Sequence, residues 1–154
     1  MGSVVVANMY LTRTEIESLR PPERITVSEW ANRNRILDAK TSAMPGRWRT
    51  DVVPYLRGIM DSFTDPNVET ITLCTATQVG KSEALNNCLG YAIAQDPGSS
   101  LVVYPTLELG EYTSKNRIQP MIESSQALRE RWDRQKSEIL ELQFAGAYVC
   151  LSGA

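Results

Sequence analysis

Apolar positions along the chain change their spacing twice, and the changes divide it into parts. Thr12 and Glu15 stand at capping-box spacing, in which two side chains satisfy the first amides of a helix; Pro21–Pro22 ends that short helix. Thr26 and Glu29 repeat the spacing and predict a helix through Trp30 to about Arg35. Residues 39–49 are turn-rich around Pro45–Gly46. From Asp51 the pattern is helical again, with Val52, Leu56, Ile59, Met60 and Phe63 on one face. Pro54 is tolerated there because it falls in the first turn, and Asp65–Pro66–Asn67 closes the helix.

The spacing then shortens to two. Val68–Cys74 alternates and is rich in β-branched residues, which predicts a strand. Helical spacing returns over Ser82–Ala94, where Ala84, Leu85, Cys88, Leu89, Ala92 and Ile93 form the apolar stripe and Asp96–Pro97–Gly98 stops it. Leu101–Tyr104 reads as a second strand and Leu107–Arg117 as a polar helix. Pro120 opens another helix with Met121, Ile122, Leu128 and Trp132 as its face. Glu138–Gln143 and Ala147–Leu151 are short strands on either side of Gly146. Strand, loop, helix and strand in that order predict an α/β fold built on a parallel sheet.

Between the first strand and its helix lies Thr75-Ala-Thr-Gln-Val-Gly-Lys-Ser82. It has the spacing of the phosphate-loop pattern G-x-x-x-x-G-K-[ST], with Thr75 where the first glycine is expected. The demands of that chemistry are separable. Gly80 lets backbone N–H groups approach phosphate, Lys81 brings a point charge to the β and γ oxygens, and the Ser82 hydroxyl holds Mg²⁺. The competing reading makes Lys81 a solvated lysine at a helix start. The strand before and the helix after favour the phosphate loop.

Composition narrows the function further. The chain has 154 residues with a net charge of −2, so any contact with nucleic acid must come from a local patch. Six basic residues against two acids between Arg33 and Arg57 form one such patch, with Trp48 between Arg47 and Arg49. Arg47, Trp48 and Arg49 are therefore candidate contacts to DNA or to an adenine ring; the alternative is a packed connector with Trp48 in the core. A second basic group, Arg129, Arg131, Arg134 and Lys136, is offset by Glu130 and Asp133 and reads as a helix surface. Histidine is absent, which removes Ser–His and Cys–His nucleophilic sites. Cys74, Cys88 and Cys150 form no metal-binding pair, and Cys74 and Cys88 read as small core residues. No apolar run approaches the roughly 20 residues of a membrane span, so a soluble intracellular protein is expected.

The run Thr75–Glu83 (TATQVGKSE) resembles the ATPase loop of the large terminase subunit of tailed phages, in particular the GpA-like group. Val27-Ser-Glu-Trp-Ala31, Pro45-Gly-Arg-Trp-Arg-Thr50 and Pro54-Tyr-Leu56 resemble its lead-in segments. Leu101-Val-Val-Tyr-Pro-Thr106, Arg117-Ile-Gln-Pro-Met-Ile122 and Gly146–Ala154 resemble segments that follow. The resemblance implies a P-loop NTPase fold of the RecA-like (ASCE) type, incomplete here, behind a helical amino-terminal lead-in. It implies nucleotide binding through Thr75, Ala76, Thr77, Gln78, Val79, Gly80, Lys81 and Ser82, with ATP and Mg²⁺ as cofactors. Thr77 and Gln78 depart from the arginine many large terminases place there. The acidic Walker B strand and the nuclease domain expected of the family would follow Leu151, so no catalytic residue is assigned.

The expected parts are a flexible segment over residues 1–25, a helical lead-in over 26–66 and the first half of the ATPase domain over 67–154. The expected function is the ATP-binding portion of a viral DNA-packaging motor that couples hydrolysis to DNA translocation and, in the full protein, cleaves DNA. Its partners would be double-stranded DNA, the terminase small subunit, the portal protein and further copies of itself, in the cytoplasm of the infected bacterial host. A helicase-like ATPase and an inactive nucleotide-binding module remain the alternatives.

Overall fold

The computed structural model describes Thr12, residues 23–39 and residues 42–154. The helix expected from Thr12 and Glu15, and most of the segment 1–25, lie outside the described residues. Helix α1, Val27–Asn34, begins as its capping box requires: Thr26 Oγ1 accepts from the Glu29 amide, and Glu29 Oε2 accepts from the Thr26 amide at 3.0 Å. The amide and hydroxyl of Ser28 both donate to Asp61, each at 2.9 Å. That pair ties α1 to the end of helix α2, Tyr55–Asp61. Between them, β1 (Ile36–Leu37) and β2 (Gly46–Arg47) pair antiparallel, the turn-rich segment closing a small hairpin.

Only part of the expected α2 stripe is buried. Leu56 and Met60 are inside, whereas Val52 and Phe63 are each 46% exposed. Both sit in 3₁₀ turns flanking the helix, Thr50–Val52 and Ser62–Thr64. Three residues per turn rather than 3.6 rotates them off the stripe.

Val68–Cys74 is not a strand. It runs from a turn closed by the Val68 amide on the Asp65 carbonyl, and it joins no sheet among the described residues. Val68, Ile71 and Cys74 are exposed, so the core position expected for Cys74 is corrected as well. Alternation provides a strand with a face but not with partners for its N–H and C=O groups, and a sheet needs both.

Helix α3, Lys81–Ala94, follows. Its buried positions are Ala84, Asn87, Gly90, Ile93 and Ala94, while Leu85 is 59% exposed. The buried stripe is thus turned away from Leu85, with Asn87, Gly90 and Ala94 joining Ala84 and Ile93 on the inner side. The cause is Trp30: a Cβ at Gly90 would lie 2.5 and 2.8 Å from its ring atoms. Helix α3 packs against both α1 and α2, and at Gly90 only glycine admits the indole. On the flank, burial pushes the Cys88 thiol up to about 12, with the Asp61 carboxylate adding to the effect.

Strand β3, Ser99–Tyr104, leads into helix α4, Leu107–Thr113, which Thr106 caps by accepting from the Leu109 amide at 3.2 Å. A π turn over Ser114–Ile118 carries α4 directly into α5, Gln119–Ser124, with Pro120 in its first turn. The helix expected to reach Trp132 breaks at Ser125, whose φ of −101° and ψ of 111° are extended, and resumes as α6, Gln126–Arg129. Met121, Ile122 and Leu128 are buried as the stripe requires. Trp132 lies beyond the helices and bridges to Phe144.

Strands β4 (Glu141–Phe144) and β5 (Ala147–Gly153) form a hairpin with Gly146 at φ 83°. The sheet has the order β3-β5-β4. Here the expected all-parallel sheet is corrected: β3 and β5 are parallel, but β4 is antiparallel to β5. A two-residue link leaves no room for the crossover that parallel neighbours need. Val149, Leu142 and Leu151 are buried, whereas Leu101 and Val103 of β3 stand 65% and 54% exposed on the opposite side.

Two glycines test this packing with opposite signs. Gly58, in α2, has nothing within 4 Å of an added Cβ, and Gly90 has the Trp30 ring. Gly58→Ala is expected to stabilise the protein by about 0.5–1 kcal/mol through helix propensity. Gly90→Ala is expected to destabilise it by about 1–3 kcal/mol through overpacking, despite the same propensity gain. Urea unfolding of the two variants measures both; equal shifts would refute the Trp30 notch.

Candidate phosphate-binding site

Residues 75–82 leave the extended segment, turn over Thr77–Gly80 and enter α3 at Lys81. Two residues in that turn have left-handed backbone. Gly80, the N-cap, has φ 81° and ψ 10°. Gln78 has φ 61° and is the one non-glycine residue with positive φ among the described residues. Such a conformation costs an L-residue about 1 kcal/mol or more, and it persists where the surroundings impose it. Since Gly80 has no side chain, no cap bond reaches the first amides of α3. Those N–H groups and the positive end of the helix dipole are left open to an anion. Lys81 is half-buried and Ser82 exposed at this opening.

Three contacts from the lead-in hold the loop. The Tyr55 hydroxyl donates to the Val79 carbonyl at 3.1 Å. Leu56 lies beneath Gly80, where an added Cβ would come within 3.2 Å of its Cδ1. Glycine is therefore favoured at position 80 by its backbone angle, and a side chain there would also press on Leu56. Glu83, in the first turn of α3, accepts from Arg35 Nη2 at 2.8 Å. Arg35 is buried, its side chain 4% exposed, and it also donates to the Ile36 carbonyl. Burial lowers the Arg35 pKa, and the Glu83 charge opposes that shift. The sequence assigned no role to Tyr55 beyond its place in the Pro54-Tyr-Leu56 likeness, and none to the Arg35–Glu83 pair. Tyr55 lies in an ordinary helix start, and a pair separated by 48 positions has no local pattern.

Trp48 is not presented to a ligand. Its ring is 5% exposed, and its indole N–H donates to Thr50 Oγ1 at 3.0 Å. Thr50 in turn bonds Asn32 Oδ1 through its amide and its hydroxyl, so the ring is part of the lead-in core. That is the packed connector weighed above, with Trp48 in the core. Arg47 and Arg49 point outward on either side of it, in no ion pair among the described residues. Their neighbours are neutralised: Arg33 pairs with Glu23, Arg35 with Glu83 and Arg57 with Asp51. In the second basic group, Arg134 pairs with Glu123 and Lys136 with Asp133. A groove of about 570 Å³ beside that group is lined by Arg131, Trp132 and Gln143 among others and includes no loop residue. Among the described residues no helix is long and apolar enough to cross a membrane, and no group of three or more His, Cys, Asp or Glu stands at metal-binding spacing.

Fold and site together define an α/β domain whose longest described helix opens, uncapped, at a Gly-Lys-Ser turn. The chain belongs to the family of the phage terminase large subunit gpA, ATPase domain, whose model matches residues 42–154. It is 30% identical over 148 residues to the terminase large subunit of Enterobacteria phage P21, covering 92% of this chain and 23% of that protein. It is 28% identical over 113 residues to the terminase large subunit of Escherichia phage lambda, covering 73% of this chain and 17% of that protein. The chain thus spans less than a quarter of the length of these curated relatives. No solved structure matches it.

The ion pair beneath the loop carries a stability prediction. Arg35→Ala leaves Glu83 without its partner and is expected to cost about 3 kcal/mol. The double variant Arg35→Met, Glu83→Gln is expected to recover most of that loss, because the unpaired charge is gone. Urea unfolding of the single and double variants checks both.

Proposed function

We propose that this chain binds Mg–ATP and is the nucleotide-binding part of a phage DNA-packaging motor. The observation that carries the proposal is the Gly80-Lys81-Ser82 turn, left-handed at Gly80 and uncapped, at the start of a 14-residue helix. In this reading Lys81 meets the β and γ oxygens, and the Ser82 hydroxyl holds Mg²⁺. Val79 and Gly80 supply N–H donors, and Thr75, Ala76, Thr77 and Gln78 complete the cradle. The chemistry of the donor set fits the group: an exposed hydroxyl, a lysine and first-turn amides without a side-chain cap lie together at the start of the helix. Mg–ATP, when bound, supplies the phosphoryl chemistry. This chain's residues bind and orient it. Glu83, the acid in the first helical turn, is engaged with Arg35 and is not a free base for water. The fold is read as the first part of a RecA-like domain, with Val68–Cys74 leading into the loop.

Membership of the terminase family supports the packaging role over a helicase-like one. Coupling of hydrolysis to DNA translocation, cleavage by the whole protein, assembly with a small subunit, a portal and further copies, and action in the host cytoplasm belong to the same proposal. Lys81→Ala is expected to weaken Mg–ATP binding at least tenfold with the fold intact, since Lys81 opens a helix and anchors no core. Calorimetry showing equal affinity for parent and variant would sink the reading. DNA affinity, in this proposal, comes from Arg47 and Arg49, the outward members of the lead-in patch that form no ion pair among the described residues. Replacing both by glutamate should abolish binding at low salt, and the parent's affinity should fall steeply with added salt. Binding that survives the double change in a filter or anisotropy assay would exclude the patch.

A further inference from the structure

We infer that Tyr55 is a positioning residue for the phosphate loop, its hydroxyl acting as a lock against rotation of the Val79–Gly80 peptide. The inference rests on the nucleotide-binding reading. The Val79 carbonyl and the Gly80 N–H belong to one planar unit, and no peptide bond described is cis. The two groups therefore point in opposite directions. Holding the carbonyl on the Tyr55 hydroxyl at 3.1 Å turns the Gly80 N–H away from the lead-in.

Glycine makes such a lock necessary. Gly80 has φ 81°, a region glycine enters and leaves without a steric penalty, so the peptide before it rotates readily unless something holds it. Gln78, on the other side of Val79, sits in the same strained region at φ 61°. A segment with left-handed residues at both ends keeps one conformation only through contacts from outside. Two come from consecutive residues of α2: the Tyr55 hydroxyl at the carbonyl, and the Leu56 side chain against Gly80. Tyr55 is 57% exposed, so its ring adds little to the core, and the hydroxyl bond is its specific contribution.

Tyr55→Phe removes that hydroxyl and nothing else. The test compares parent, Tyr55→Phe and Lys81→Ala in three measurements on the whole chain. Without nucleotide, hydrogen exchange at the amides of residues 79–82 should quicken in Tyr55→Phe, with exchange elsewhere in α3 unchanged. With Mg²⁺ and the fluorescent nucleotide mant-ADP, the dissociation constant should rise about two- to tenfold in Tyr55→Phe, the worth of one hydrogen bond. The thermal midpoint should fall by no more than a few degrees, because the ring and Leu56 remain. Unchanged exchange in the loop overturns the inference whatever the nucleotide does. Unchanged affinity for Tyr55→Phe, where Lys81→Ala does lose affinity, overturns it while leaving the nucleotide reading intact. Equal affinity of Lys81→Ala and parent removes the nucleotide reading itself, and loop exchange then decides alone whether the lock exists.

Discussion

The contact between the Trp30 indole and the missing side chain of Gly90 governs the rest of the structure. A helix can present any of several faces to its neighbours, and the face it buries fixes where its first turn points. Here a rigid, fully buried ring occupies the notch at Gly90. Helix α3 is thereby set in rotation and in depth against α1. Ala84 and Asn87 follow onto the same buried side, and Lys81 and Ser82 come to the open end. Were the larger side chains of α3 to face the lead-in instead, Leu85 would be inside and the first turn would aim elsewhere.

The lead-in is consequently more than a connector. Its first helix is bolted to its second by the Ser28–Asp61 pair, and the second presents Tyr55 and Leu56 to the loop. The Arg35–Glu83 ion pair joins the end of α1 to the first turn of α3. Buried ion pairs contribute little net stability over apolar packing, but they tolerate few alternative geometries. A strained loop gains from that kind of support. The strain at Gln78 is a property of the turn, and its persistence is a property of what surrounds it.

Apolar surface is distributed unevenly about this arrangement. The sheet buries Leu142, Val149 and Leu151 on one side and leaves Leu101 and Val103 in solvent on the other. Leu85 of α3 and Val68 and Ile71 of the extended segment are exposed too. The hydrophobic effect acts on area and not on order along the chain, so α1, α2 and α3 make one packed unit without the extended segment as a strand.

Local signals were legible in the sequence wherever one short stretch decides its own conformation. The Thr26–Glu29 box, the proline start near Pro120, the Gly146 hairpin and the Gly-Lys-Ser turn at a helix start are of this kind, because each depends on neighbours within four or five positions. Family membership was legible as well, through the order of several such stretches. Three things waited for the tertiary structure. Val68–Cys74 alternates like a strand, but strand formation depends on partners that its own residues do not specify. The stripe expected on α3 held Leu85 and left out Gly90, and a tryptophan 60 positions earlier brought Gly90 to the inner face. Trp48 between two arginines left stacking and core packing both open until its indole proved to be spent on Thr50. In each case the deciding group comes from elsewhere in the chain, and periodicity holds no record of what will pack against it.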